Sequence, residues 1–205
     1  DHPMYSAMLN NRGFFFYSVG NLAAAEANYR LSLELKRKNK EPAVSVASSL
    51  RNLAQITYAR DPREGEQHLR EAVAAYAEAA TAPPFDHAKV LLGLARAQRD
   101  RGALPDAQAT IEQALAIVGK GLGTRHALYA ATVRDLGLVQ AANGDRDNAD
   151  RNLREAIAIA EHAHGAEHPD MAPFLETLGA FYAEHGSFAA GEPLYRRSMA
   201  IRDRF

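Results

Sequence analysis

Four residues able to bind metal or transfer protons crowd one short stretch of the sequence: His162, His164, Glu167 and His168. Three or four such donors converging on one point bind zinc, and two histidines four apart flanking a glutamate on a helix build a hydrolytic zinc centre. His164-Gly165-Ala166-Glu167-His168 has the four-residue spacing, but its glycine and its loop setting break the helix that the motif needs. His168 is also one member of a recurring position, returning as His126 and His2. The stretch is therefore read as a helix start with loop packing, and no metal ligand is assigned. Gly119-Lys120-Gly121-Leu122-Gly123-Thr124 resembles a phosphate cradle in composition only. It lacks the four-residue gap and the Gly-Lys-Ser/Thr ending of a P-loop, and it follows a helical segment where a P-loop follows a strand. Ser45, Ser48 and Ser49 have no histidine and acid at motif spacing, and Glu64 and Glu66 sit where a helix start favours acid. The expectation is no catalytic residue, no metal and no cofactor, so the chain is not read as an enzyme.

Bulk properties narrow the remaining classes. The 205 residues are 47% apolar and 24% charged with a formal net charge of -1, enough for a sizeable core and neither disordered nor strongly basic. No nucleic-acid partner is expected from that balance. No run approaches the ~18 apolar residues of a membrane span, and no basic segment followed by an apolar run opens the sequence. The absence of cysteine excludes disulfides and thiolate chemistry within the chain and fits the cytoplasm.

The elements that must position any site follow from an internal repeat. A turn residue recurs at Gly20, Arg60, Gly102, Gly144 and Gly186, with spacings of 40, 42, 42 and 42 residues. Five residues after each stands a small residue: Ala25, Gly65, Ala107, Ala149 and Gly191. Nine after each stands a large one: Tyr29, Leu69, Ile111, Leu153 and Tyr195. Twelve after, Ser32, Ala72, Ala114, Ala156 and Ser198 are small again, and thirteen after, Leu33, Val73, Leu115, Ile157 and Met199 are large. These offsets share one helical face. A preceding helix carries its own small column at Gly13, Ala54, Ala95, Gly137 and Gly179. The second unit is one residue short in its turn, where Asp61-Pro62-Arg63-Glu64 reads as N-cap, first-turn proline and capping-box glutamate. Ten helices are predicted, over roughly 3–18, 21–38, 42–59, 62–80, 85–100, 104–120, 126–142, 145–163, 169–184 and 187–204, with no strand. In the run Phe14-Phe15-Phe16-Tyr17, Phe16 and Phe15 are expected in the core, and Phe14 or Tyr17 as an anchor for a ligand; the alternative is that the run marks a contact with upstream sequence.

Small and large columns on paired helices resemble the tetratricopeptide repeat, here with a period longer than the usual ~34 residues, similar to the long repeats of kinesin light chain and bacterial regulators. The best match runs His168-Pro169-Asp170-Met171-Ala172, Leu175, Leu178-Gly179, Tyr182 and Gly191-Glu192-Pro193-Leu194-Tyr195-Arg196-Arg197-Ser198. Asp1-His2-Pro3 and Leu9-Asn10-Asn11 echo it in the first unit, and Leu122-Gly123 with His126 in the fourth. The resemblance implies an all-α fold, a right-handed α-α superhelix of about five helix pairs. The units would cover roughly 1–41, 42–82, 83–123, 124–166 and 167–205 as one array, cut from a longer protein.

The resemblance also implies which side chains line a concave groove. They are Asn10, Asn11, Phe14 and Tyr17; Arg51, Asn52, Gln55 and Tyr58; Lys89, Leu92, Arg96 and Arg99; Arg134, Asp135 and Leu138; and Glu176 with Thr177. The middle of this set is basic, so an acidic peptide segment or partner helix is the expected ligand, with asparagine amides on its backbone. Arg96 and Asp100 have the spacing of a same-helix pair that would neutralise part of that charge. The carboxylate clamp of chaperone-binding relatives is met at Asn52 and Lys89 only. Phe14 replaces a polar residue and Gly93 stands where arginine is expected. The function implied is an interaction module of scaffold or adaptor type. The alternative is a sensory domain of a larger signalling protein or transcription regulator that binds a small molecule or signalling peptide. End-to-end self-association through Asp1 and Phe205 would follow from uncapped ends.

Overall fold

A computed structural model describes residues 3–79 and 81–204. Asp1, His2 and Phe205 of the expected end contacts, and the predicted end of the fourth helix at residue 80, lie outside the described residues. The described residues form α1 (Pro3–Ser18), α2 (Leu22–Lys38), α3 (Ala43–Arg60), α4 (Pro62–Glu78), α5 (Pro84–Asp100), α6 (Leu104–Gly121), α7 (Ala127–Ala142), α8 (Arg146–His164), α9 (Ala172–Glu184) and α10 (Phe188–Arg202). No strand occurs among them. The helices match the ten predicted ones, except that the ninth opens with a 3-10 turn at Pro169–Met171.

The turn column explains why each pair folds back. Gly20, Gly102, Gly144 and Gly186 adopt φ of +78°, +82°, +82° and +75°, a region that side chains with a Cβ avoid. The shorter turn of the second pair needs no such residue. Arg60 stays helical, and Asp61 is extended at φ -137°. The Asp61 side chain caps α4 by accepting the amides of Arg63 and Glu64 at 3.0 and 3.3 Å. Glu64 is not the capping-box partner expected. Its carboxylate is drawn away by Arg30 and Arg60, at 2.5 and 2.8 Å.

The chain divides into two compact units, residues 1–97 and 98–205, with the division inside α5. In the first, α1 packs on α2, α2 on α3 and α3 on α4. Tyr29, Leu33, Leu50, Leu53, Ile56, Leu69, Tyr76, Val90 and Leu94 make its core. The small column lets the helices close. A Cβ on Gly13 would sit 2.6 Å from the Tyr29 ring, and one on Gly65 would sit 2.5 Å from Tyr58 Cα. In the second unit, α6 packs on α7, α7 on α8, α8 on α9 and α9 on α10. Val133, Met171, Phe174, Leu175 and Ile201 fill one cluster, and Leu153, Leu178 and Phe181 another. Tyr182 Oη donates to Asp150 at 2.5 Å. Burial, then that carboxylate, pushes the phenol up to about 12.

Phe15 departs from expectation. It is 59% exposed, whereas Phe16 is half-buried against the first core. The matching positions in later first helices, Ile56, Val139 and Phe181, are buried, and α3, α7 and α9 each pack on the second helix of the pair before. Among the described residues α1 has no such helix against that side.

Candidate peptide-binding face

The eleven candidate residues divide between the units. Asn10, Asn11, Phe14, Tyr17, Arg51, Asn52, Gln55, Lys89 and Arg96 fall in the first, and Arg99 and Arg134 in the second.

Within the first unit, α1 and α3 bring their polar side chains together in two rungs. Asn52 donates its amide to Asn10 Oδ1 at 3.1 Å, and Gln55 donates to the Tyr17 hydroxyl at 2.7 Å. The partners lie 42 and 38 residues apart, so each rung runs slantwise between the helices, since the repeat matches Asn10 with Arg51 and Tyr17 with Tyr58. The first rung continues inward. Ser49 Oγ lies 3.3 Å from Asn10 Oδ1 and 3.3 Å from Ser32 Oγ, and Ser32 donates to the Ser6 carbonyl at 2.8 Å. Ser6, Ser32 and Ser49 are fully buried, so hydroxyls and a carbonyl satisfy one another where no water reaches. Asn11 and Phe14 are exposed beside the rungs, Phe14 at 63%.

The charges expected to make the middle of the set basic are partly paired, and not through the Arg96–Asp100 contact anticipated. Arg51 donates to Asp86, in the first turn of α5, at 2.6 Å. Lys89 is exposed with Nζ 4.8 Å from the Phe85 ring centre, a cation–π contact. Arg96 is exposed and forms no ion pair among the described residues, and Asp100 takes Arg99 as a partner at 3.2 Å. In the second unit Arg134 pairs with Asp135 at 2.8 Å and lies 5.1 Å from the Phe174 ring centre. Glu176 is held by Arg202 at 2.8 Å, the Thr177 hydroxyl donates to the Pro173 carbonyl, and Leu92 is buried. Of the candidate cations in the first unit, Lys89 and Arg96 therefore form no ion pair among the described residues, and Arg51 shares its charge with Asp86.

Sequence reasoning missed Asp86, Ser49 and a four-charge cluster formed by Glu26, Arg30, Arg60 and Glu64. Burial tends to raise the Glu26 carboxyl, but hydrogen bonds from Arg60 and Arg30 together outweigh it and hold the group below its ordinary value. Arg30, then Arg60, lowers Glu64 in the same way. Glu26–Arg60, Arg30–Glu64 and Arg37–Glu71 are each 34 residues apart in sequence, so opposite charges at that offset were the available signal.

The tetratricopeptide repeat pattern matches residues 5–78, 86–162 and 130–204. No curated protein sequence matches the chain. Among solved structures, it is similar to a Podosopora anserina putative kinesin light chain with nearly identical TPR-like repeats, at 22% identity over 100% of this chain and 97% of that chain, TM-score 0.81. It is similar to BtubC (BKLC) from P. vanneervenii at 22% identity over 94% of this chain and 77% of that chain, TM-score 0.78. A third is the Rap conjugation gene regulator of the plasmid pLS20 in complex with the Phr* peptide. There the identity is 16% over 96% of this chain, which spans 53% of that chain, with a TM-score of 0.72. At these identities the likeness is one of fold.

Proposed function

This chain belongs to the tetratricopeptide repeat family, and from that premise we propose that it is a protein-interaction module that holds an extended peptide on the α1–α3–α5 face of its first unit. One observation carries the reading: Asn10, Asn52, Tyr17 and Gln55 form two polar rungs between neighbouring first helices, with exposed Phe14 beside them. Amide and phenol groups at that spacing suit a peptide backbone, which offers one donor and one acceptor per residue. Phe14 supplies an apolar anchor. Lys89 and Arg96 suit a carboxylate on the ligand, so the favoured peptide is acidic at one end. The peptide complex of the similar Rap regulator supports a ligand of this class.

Panning a random peptide library against the chain supplies the probe for a direct test. Asn52→Ala and Arg96→Glu should each weaken the selected peptides about tenfold, the loss of one or two hydrogen bonds or one charge pair, with circular dichroism unchanged. Peptides that bind both variants as tightly as the parent would remove the proposal.

A second reading, end-to-end self-association, rests on burial along two columns. Ser49, Val90, Thr132 and Phe174 are buried where α1 carries Met8, which is 61% exposed. In α10, Met199 is 63% exposed at the position where α2 buries Leu33. Inside the first unit α2 packs on α3, and in this reading a second copy covers the exposed Met8 and Met199 sides by a contact of the same kind. Sedimentation equilibrium should show association that Met8→Glu abolishes. A monomer at every concentration would eliminate it.

A further inference from the structure

The joint between α8 and α9 gathers side chains that the peptide face does not use. His164 closes α8, Gly165 turns the chain at φ +91°, and His168 precedes the 3-10 turn that contains Asp170. The two imidazoles stack with centroids 4.9 Å apart and planes 19° apart. Both direct Nδ1 toward one carboxylate oxygen: Asp170 Oδ2 lies 3.8 Å from His164 and 3.6 Å from His168. One donor atom from each of the three side chains falls within 4.8 Å of the others.

We propose that this joint binds a divalent transition-metal ion of borderline softness, Zn²⁺ or Ni²⁺, through His164, His168 and Asp170, with water completing the coordination. Two imidazoles and a carboxylate are the donor set such ions prefer over Mg²⁺ or Ca²⁺, which select oxygen. Donors about 2.1 Å from a tetrahedral centre stand about 3.4 Å apart, so small side-chain rotations convert the observed spacing into a coordination sphere. Asp170 and His168 are exposed and His164 is half-buried, which leaves the ion a path from solvent. Arg197 and Arg204, which reach this turn from α10 and just beyond it, are engaged by Glu161 and Glu167.

The joint between α6 and α7 serves as an internal control. Gly123 has the same φ of +91° as Gly165, and His126 Nδ1 accepts the Leu128 amide at 3.0 Å as His168 Nδ1 accepts the Asp170 amide at 3.1 Å. There the residues matching His164 and Asp170 are Leu122 and Leu128. A histidine cap thus forms this turn without either extra ligand. The cap explains His168, and Asp170 also suits the first turn of a helix, but neither role accounts for the stacked His164 imidazole turned to the same carboxylate. On binding, the ion takes the His168 lone pair from the Asp170 amide and ties the end of α8 to the start of α9.

Isothermal titration of the whole chain with ZnCl₂ and, separately, NiSO₄ provides the test. The expected result is one ion per chain, with His164→Ala and Asp170→Asn each weakening affinity at least about tenfold. Exposed His162→Ala should leave it unchanged. Metal-free melting curves of the variants establish that they fold. Long-range ¹H–¹⁵N spectra should show imidazole nitrogens of both His164 and His168 shifting with saturation. Absence of binding, or an affinity indifferent to His164→Ala and Asp170→Asn, would overturn the site.

Discussion

The guanidinium of Arg51 on α3 holds the Asp86 carboxylate of α5 at 2.6 Å, with both side chains about one-third exposed. An arginine that the repeat pattern offers to an acidic ligand thus already shares its charge with a neighbouring helix. Asp86→Asn should release it. Anisotropy with a fluorescein-labelled, glutamate-rich peptide should show affinity rising by roughly fivefold, about 1 kcal/mol, with the gain fading at high salt. No gain at low salt would mean that Arg51 serves only to join the helices.

Gly65 and Gly119 predict opposite outcomes for one chemical change. A methyl on Gly65 would meet Tyr58 Cα at 2.5 Å and Tyr58 N at 2.7 Å, so α3 and α4 must separate. Gly65→Ala should cost about 2–3 kcal/mol in chemical denaturation. Gly119 is helical in α6 and its nearest neighbour would be the Tyr129 ring at 3.4 Å. Gly119→Ala should stabilise by about 0.5–1 kcal/mol through the lost backbone freedom of the unfolded chain.

Lys36 is buried at a position where α4, α6 and α8 bury Tyr76, Val118 and Ala160 and α10 exposes Arg202. Its ammonium donates to the Ser45 carbonyl at 2.8 Å, and burial lowers its affinity for a proton despite the attraction of Glu41. The unfolded chain therefore binds more protons at this group than the folded one between the two titration points. Stability must rise with pH through that alkaline window. Lys36→Met should remove the rise, so the parent's melting temperature should climb relative to the variant's as pH increases through that window. A constant difference would show that Lys36 is not desolvated.

The Glu26–Arg30–Arg60–Glu64 cluster acts in the other direction. Glu26 and Glu64 titrate lower in the folded chain than in the unfolded one, so the folded state binds fewer protons in acid. Their contribution is complete above the unfolded carboxylate value and disappears as pH falls through the folded one. Glu64→Gln should flatten the acid limb of stability against pH, measured by thermal melts. An acid limb identical to the parent's would mean that the cluster is ornamental to stability.

The packing was legible in the sequence and the charge pairing was not, for a physical reason. Gly13 opposite Tyr29, and Gly179 opposite Tyr195, follow from side-chain volume at helical spacing, which local sequence encodes directly. Helix ends followed from turn glycines and from Asp61 ahead of Pro62. The Arg51–Asp86 pair instead depends on how two long side chains meet across a helix interface 35 residues apart in sequence. Phe15 was misplaced because an aromatic run reads as core whichever side of the helix lacks a neighbour. His164 and His168 stand out in the sequence as possible metal donors, but the approach of Asp170 to both imidazoles does not, because it depends on how the 3-10 turn folds back on the end of α8.

Ser49 owns a single hydroxyl proton and faces two acceptors, Asn10 on the outside and Ser32 within. Ser32 has committed its own proton to the Ser6 carbonyl, so Ser49 must choose. The choice is outward: its proton goes to the same Asn10 oxygen that takes the Asn52 amide, so the surface rung and the dry interior are joined in one chain of polar contacts running through α1, α3 and α2.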